Sequence, residues 1–147
     1  MPPNADESYT ATFPARLDAF ADVRTFVEDA CARADVARAD GLRLLLLIEE
    51  LFVNTVTHGH GQDSEATVRL ALTVTPAAIT VEYGDTARPY DPFAAARASD
   101  ADARPDDIHA RAVGGLGVRI ITAMADDVGY ARRDGWNRVS FRLRRER

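Results

Sequence analysis

Three short groups of residues in this chain have types and spacings that could support chemistry. The first group is Glu50 and Asn54, which stand four positions apart, so their side chains meet on one face of a helix. A carboxylate beside an amide carbonyl can hold Mg²⁺ through oxygen, or one group can hold the metal while the other takes a proton. The same spacing occurs by chance on ordinary surface helices, so the pair alone leaves both interpretations open.

The second group is centred on Asp85, which follows a predicted strand and precedes the segment TARPYDP at residues 86–92. A buried carboxylate can accept a hydrogen bond from an exocyclic amine such as that of adenine. Aspartate and proline are also common turn residues, so a simple turn is the alternative interpretation.

The third group is Gly114-Gly115-Leu116-Gly117, at the start of a predicted helix. Glycines let the backbone approach a ligand closely, and a helix N-terminus offers free N–H groups and positive potential to a phosphate. The alternative interpretation is a flexible hinge.

The first group lies on a helix that we predict from Gly41 to about His58, with Asp40 as N-cap and with Gly59 and Gly61 as stop signals. Apolar residues occur nearly all round this helix, a pattern typical of a helix buried on most sides.

Within this helix, Glu50, Asn54 and Thr57 form one polar stripe, with His58 at its margin. Polar groups on a buried helix need partners, because unpaired buried polar groups are costly.

The remaining elements follow from hydrophobic periodicity and turn residues. They are a loose terminus at residues 1–8, a strand at 9–13, a helix from Leu17, a hairpin with strands at 68–74 and 79–83, a lid at about 94–113, a short helix after Gly117, and a second hairpin around Asp134-Gly135. This order predicts a single domain over residues 9–147. Its fold class is an α+β two-layer sandwich with a mixed, mainly antiparallel sheet and helices on one face.

Composition excludes several classes of function. The net charge of −5 argues against a protein that binds nucleic acid, which would carry a basic face. All 18 basic residues are arginine, which excludes the lysine-dependent P-loop and the eukaryotic type of protein kinase. Because no apolar stretch has the length of a membrane span and the chain has one cysteine, we expect a cytoplasmic protein without membrane association.

Three stretches together resemble a known family in their order and spacing. They are EELFVNTVTHGH at residues 49–60, DTARPYDP at residues 85–92 and GGLGVRIITAMADDVGYARRDGWNRVSF at residues 114–141. The set resembles the ATPase superfamily that includes gyrase, histidine kinases and mismatch-repair ATPases. Within it, the chain is most similar to the anti-sigma factor serine kinases, and the Pro-aromatic-Asp-Pro run after Asp85 separates that branch from the histidine kinases.

The resemblance implies a Bergerat ATP-binding fold with ATP and Mg²⁺ as cofactors. It also implies a set of roles: Asn54 holds Mg²⁺, Glu50 activates the attacking hydroxyl, Asp85 binds the adenine amine with Ala87 and Pro89 at the adenine edge, and Gly115, Leu116 and Gly117 contact the phosphates. The chain departs from the family at Ala87, where glycine is frequent. It also departs at Val113, where some relatives carry an arginine for which Arg111 is the nearest substitute.

The activity implied by the resemblance is a serine/threonine kinase that phosphorylates a small anti-sigma-factor antagonist and otherwise binds a sigma factor or equivalent regulator. The departures at Ala87 and Val113 favour an alternative, a non-catalytic module whose nucleotide only sets the affinity for a partner. The resemblance further implies a homodimer. We interpret Trp136 and Asn137 as structural residues.

Overall fold

The computed structural model describes residues 6–93 and 123–146, and these residues form one five-stranded sheet covered by two helices. The strands are β1 (Glu7–Pro14), β2 (Thr67–Val74), β3 (Ala78–Asp85), β4 (Asp126–Arg133) and β5 (Trp136–Arg144). Their order in the sheet is β1-β2-β3-β5-β4, and each of these four pairings is antiparallel.

Two α-helices cover one face of the sheet. A short 3-10 turn, Leu17–Ala19, leads into α1 (Phe20–Arg33), and α2 spans Arg38–Asn54. The chain then continues without a break into a π-helical turn, Thr55–His60, which ends at Gly61 in the left-handed conformation, with φ of 79°. Glycine is favoured there because it adopts a positive φ without steric cost.

The core lies between the helices and the sheet. Alternate residues of β2 and β5 are buried, as the period of two predicted, and they pack against the buried faces of α1 and α2. The intervening residues of these strands face the other side of the sheet. The predicted α+β two-layer sandwich is therefore confirmed, with a sheet that is antiparallel throughout its described part.

Asp40 is not the N-cap that the sequence predicted. α2 begins three residues earlier than expected, with Ala37 at the N-cap position and Asp40 inside the first turn. The Asp40 carboxylate is 1% exposed, accepts a hydrogen bond from Arg43, and is also approached by the backbone N–H of Glu146. Its role is to join the start of α2 to the end of the chain.

The predicted polar stripe also needs correction at its C-terminal end. The α-helix ends at Asn54, and the wider π-turn no longer advances by 100° per residue, so Thr57 lies exposed instead of in line with Asn54. Burial of α2 is incomplete as well, because Leu42 and Leu46 are 58% and 40% exposed.

At the N-terminus, β1 begins inside the segment predicted to be loose, since Glu7 and Ser8 pair with Val74 and Thr73 of β2. The predicted lid at 94–113 and the glycine turn lie outside the described residues. Within the described ranges, no helix is both long enough and apolar enough to cross a membrane.

Candidate functional site

The C-terminal end of α2 presents the Glu50–Asn54 pair on a helix that is held by the core. Asn54 is 3% exposed, and its side-chain Nδ2 is buried with no hydrogen-bond partner in the described part of the chain. Buried amide groups are normally paired, since an unmade hydrogen bond there costs about 1–3 kcal/mol. Arg43 Nε and His60 Nε2 are likewise buried without a partner among the described residues, but of these three residues only Asn54 was predicted from the sequence to bind a ligand.

Glu50 lies one helical turn before Asn54 and is half-buried. Burial raises the pKa of the Glu50 carboxyl above its ordinary value, and the neighbouring Glu49 carboxylate raises it further. A carboxylate with a raised pKa is a better proton acceptor near neutral pH, as a general base requires.

Asp85 is the last residue of β3 and is 8% exposed. Its Oδ1 accepts hydrogen bonds from the Ala87 backbone N–H at 3.0 Å and from the Asn137 side-chain Nδ2 at 2.9 Å. Its Oδ2 lies 2.8 Å from the Thr55 hydroxyl. Three donors from three segments thus fix the orientation of this carboxylate, which is more than a simple turn residue would need.

The Thr55 and Tyr83 hydroxyls form a chain that ends on Asp85. Thr55 Oγ1 lies 2.6 Å from the Tyr83 hydroxyl, and both hydroxyls also lie within reach of the Leu51 carbonyl. A hydroxyl has one hydrogen, and a carboxylate is the stronger acceptor, so Thr55 donates to Asp85 and Tyr83 donates to Thr55. Burial raises the pKa of Tyr83, and the nearby Asp85 charge adds to the rise, so Tyr83 stays a donor.

Asn137 organises this end of the site through hydrogen bonds to other protein groups, a structural role as the sequence indicated. It is 4% exposed and lies directly opposite Asp85 in the β3–β5 ladder. Its Nδ2 is within hydrogen-bonding distance of Asp85 Oδ1 and of the carbonyls of Ala87 and Arg88, at 2.9–3.2 Å. Its Oδ1 accepts from the Tyr90 N–H at 3.2 Å and from the Tyr130 hydroxyl at 2.6 Å.

The partners of Asn137 could not be predicted from the sequence, because β3 and β5 are separated by about 50 residues and nothing local sets Asn137 opposite Asp85. The usable signal was the Asp134-Gly135 turn, at which both residues adopt positive φ. This turn fixes the β4–β5 register and places the Asn137 side chain on the buried face of β5.

The segment after Asp85 is attached to the π-turn and to β4. The Arg132 guanidinium donates to the Ala87 carbonyl at 2.6 Å, and Arg88 donates to the His58 carbonyl at 3.2 Å. The rings of Tyr90 and His58 stack with centroids 6.5 Å apart.

Ala87, one of the departures from the family pattern, is 2% exposed and packs against Gly59 of the π-turn. A Cβ added at Gly59 would lie 2.9 Å from the Ala87 Cβ, which is closer than such atoms approach. The extra methyl of Ala87 is therefore accommodated by Gly59, and it does not line the cavity beside Asp85. Pro89, also predicted at the adenine edge, is exposed and does not line that cavity either.

Asn54 and Asp85 share one small cavity, whose other walls include Thr55, Tyr90 and Asn137. Its volume is about 20 Å³, enough for roughly one water molecule. Nucleotide-sized ligands occupy pockets on the order of 300–1,000 Å³. The described residues thus bring the predicted metal and adenine residues together, while the predicted phosphate residues Gly115, Leu116 and Gly117 lie outside them.

Residues that could hold a metal ion are few. Within the described residues, no group of three or more His, Cys, Asp and Glu side chains could hold a metal. A site that uses one protein oxygen together with substrate phosphates is the usual arrangement for Mg²⁺. Asn54 could offer its amide oxygen to such a site. Its Nδ2, which has no hydrogen-bond partner within the described residues, is a donor and would bind a phosphate oxygen instead of the metal.

Comparisons with known proteins identify the family and the fold of the chain. The family described as the histidine kinase-like ATPase domain matches residues 13–143. The serine/threonine-protein kinase BtrW of Bordetella bronchiseptica is 31% identical over 103 residues, which are 67% of this chain and 66%, just under two thirds, of BtrW.

Similarity of structure extends over more of the chain. A chain of the crystal structure of the SiaB–SiaC complex from Pseudomonas aeruginosa superposes with a TM-score of 0.60 at 14% identity. The superposition covers 92% of this chain and 89% of that chain, and it supports the same fold. The resemblance drawn from the three sequence motifs is confirmed, and the chain belongs to the histidine kinase-like ATPase domain family.

Proposed function

We propose that this protein binds Mg²⁺-ATP between the end of α2 and Asp85 and transfers the γ-phosphate to a serine or threonine of a small anti-sigma-factor antagonist. In its other state the protein binds a sigma factor or an equivalent regulator. The observation that carries the proposal is the proximity of Asn54 and Asp85, which line the same small cavity. The Asp85 carboxylate is oriented by three hydrogen bonds, while the buried Asn54 Nδ2 has no partner within the described residues.

In this proposal each group of residues binds a different part of Mg²⁺-ATP. The Asp85 carboxylate accepts a hydrogen bond from the exocyclic amine of adenine. Hydrogen bonds from Thr55, Ala87 and Asn137 keep this carboxylate in place. The Asn54 amide oxygen holds Mg²⁺, which neutralises charge on the phosphates when bound. Gly115, Leu116 and Gly117 supply backbone N–H groups to the phosphates, as the family pattern implies.

Glu50 acts as the base in the transfer step. It takes the proton of the substrate hydroxyl as that oxygen bonds to the γ-phosphorus. The bond from the γ-phosphorus to the β–γ bridging oxygen breaks, and ADP leaves with the electron pair. Burial, which raises the pKa of Glu50, favours this role.

Two similarities support a kinase that acts on a protein partner. BtrW is named a serine/threonine-protein kinase, and the similar solved chain comes from a two-protein complex. The alternative, a module that binds ATP without transferring phosphate, drew on Ala87 and Val113. The Ala87 methyl is accommodated by Gly59, so that departure no longer argues for a tighter adenine site.

The transfer is tested by incubating the protein with γ-labelled ATP, Mg²⁺ and a small antagonist protein encoded beside it. We expect phosphoserine or phosphothreonine on the antagonist, and a loss of about 100-fold or more in rate for Glu50→Gln. Glu49→Gln is the matched control, since Glu49 is the exposed neighbour of Glu50, and it should retain the activity.

Equal labelling by wild type and Glu50→Gln would remove Glu50 from the mechanism. Normal ATP binding with no transfer over many hours would favour the non-catalytic module. The homodimer stays a prediction, and a monomeric mass in solution at micromolar concentration would contradict it.

A further inference from the structure

A groove of about 480 Å³ lies on the face of the sheet that points away from the helices. Its lining includes Arg69, Glu82, Gly84, Trp136, Arg138 and Ser140. This face is opposite to the one that carries Asp85 and Asn137, because Gly84 and Arg138 are their sequence neighbours on β3 and β5. The groove is therefore separate from the nucleotide site.

The strand register explains why a groove forms here. Arg69, Gly84 and Arg138 are direct cross-strand neighbours on β2, β3 and β5. Adjacent strands lie about 4.8 Å apart, so the Cα atoms of the two arginines are about 10 Å apart, and the residue between them on β3 has no side chain of its own. We call this set the Arg-Gly-Arg row.

Trp136 forms one wall of the groove. The six-membered ring of its indole lies over Gly84, because a Cβ built there would be 3.3 Å from Trp136 Cε3. Trp136 is only half-buried, so part of a large aromatic surface remains open on a sheet face that otherwise carries small and polar residues. Partly open tryptophan and arginine side chains are the types that dominate binding energy at protein interfaces.

The charges in the groove are not neutralised by other residues of the described part of the chain. Arg69, Glu82 and Arg138 are exposed, and none of them makes an ion pair or side-chain hydrogen bond within residues 6–93 and 123–146. Two arginines against one glutamate give the groove a net positive charge, opposite in sign to the net charge of −5 of the whole chain. Guanidinium groups bind carboxylates with two parallel hydrogen bonds, so the row is suited to acidic side chains.

From this geometry we propose that the groove is a docking surface for an acidic polypeptide segment of a partner protein. Acidic side chains of the segment pair with Arg69 and Arg138, and an apolar side chain between them packs on Trp136. A second copy of the chain would bring the same two arginines to the interface, which charge repulsion disfavours. A small anion would stay largely in solvent in so open a groove, whereas small-ligand pockets enclose most of their ligand.

Trp136 is the only tryptophan of the chain, so its fluorescence reports directly on the groove. The probe is a twelve-residue peptide of Glu, Asp, Leu and Ser, without aromatic residues, compared with a peptide in which Gln and Asn replace Glu and Asp. We expect a saturable change in Trp136 emission with the acidic peptide alone, and several-fold weaker binding at high salt.

The double variant Arg69→Glu/Arg138→Glu should weaken binding of the acidic peptide at least tenfold. The matched control is Arg33→Glu/Arg38→Glu, which changes the net charge equally at exposed arginines on α1 and α2. This control should stay within twofold of wild type. The milder Arg69→Gln/Arg138→Gln variant, checked for an unchanged melting temperature, should lose an intermediate amount.

Three results would overturn the proposal. One is the absence of a saturable change, or an equal change with the uncharged peptide. Another is an equal loss in the control double variant, which would mean that only the overall charge matters. The third is a Trp136 shift that depends on protein concentration alone, which would assign the groove to a second copy of the chain.

Discussion

The two ends of the candidate site differ in how far the protein satisfies its own polar groups. At one end, the Asp85 carboxylate receives hydrogen bonds from Thr55, Ala87 and Asn137. At the other end, the Asn54 Nδ2 is buried without a partner within the described residues. The first end is thus oriented by the fold itself, while the second has bonding capacity left for a ligand.

The difference also concerns what each end contributes to stability. Asp85 and Asn137 connect β3, β5, the π-turn and the segment after Asp85, so changes there disturb the fold as well as any binding. Within the described residues Asn54 makes no hydrogen bond through its Nδ2, so Asn54→Ala should affect ligand binding with little cost in stability. The following substitutions test this contrast, from the largest expected effect to the smallest.

Asn137→Ala should cause the largest loss of stability. It removes the donor to Asp85 and leaves the carbonyls of Ala87 and Arg88 and the Tyr130 hydroxyl with fewer partners. Such unpaired buried groups should lower the free energy of unfolding by about 2–4 kcal/mol, as measured by urea denaturation. A loss below about 1 kcal/mol would show that the Asp85 end is not a structural centre.

Gly59→Ala should destabilise the protein less, by about 1–3 kcal/mol, since its new methyl would overlap that of Ala87. The double variant Gly59→Ala/Ala87→Gly should recover most of this loss, because it moves the methyl from one side of the contact to the other. A double-mutant cycle measures the coupling. Additive losses would mean that Gly59 and Ala87 do not form the close contact between the π-turn and the Asp85 segment.

Glu50→Gln should have a smaller effect on stability than either of these changes, and the effect should depend on pH. Because the pKa of Glu50 is raised in the folded state, the folded protein binds the proton of this carboxyl more tightly than the unfolded protein does. The free energy of unfolding therefore falls as the pH rises above 4.5, the ordinary pKa of a glutamate. Glu50→Gln should therefore raise the melting temperature by about 1–2 °C at neutral pH and by less in acid.

Glu49→Gln refines this prediction. Glu49 contributes to the raised pKa of Glu50, so its removal should give a smaller gain of the same sign. A melting temperature that falls in Glu50→Gln at neutral pH would contradict the proposed environment of Glu50.

Local sequence patterns predicted most of the fold because they report burial. The alternation in β2 and β5 and the Asp134-Gly135 turn were sufficient to place the strands. They were not sufficient for Asp40, whose carboxylate is engaged by Arg43 and by the Glu146 backbone over 100 residues away. A long-range partner of this kind competes with capping and leaves no local signal.

The candidate site was predictable where its residues lie close together in sequence. Glu50 and Asn54 share one helix, and Asp85 ends a recognisable strand. The roles of Thr55 and Asn137 depend on how α2 and β5 meet β3, which is a property of the packed sheet. The π-turn was not predictable either, because the sequence from Asn54 to His58 continues the pattern of an α-helix.

The central claim is that the Asn54 amide, whose Nδ2 has no hydrogen-bond partner within the described residues, belongs to a Mg²⁺-ATP site. The melting temperature with and without Mg²⁺-ATP tests this claim most directly. At a ligand concentration 100 times Kd, binding should stabilise the wild type by about 2.7 kcal/mol, which raises the melting temperature by about 8 °C. Asn54→Ala should melt within about 2 °C of the wild type without ligand and should show no rise with Mg²⁺-ATP. A folded Asn54→Ala protein that retains the full rise would contradict the placement of the site.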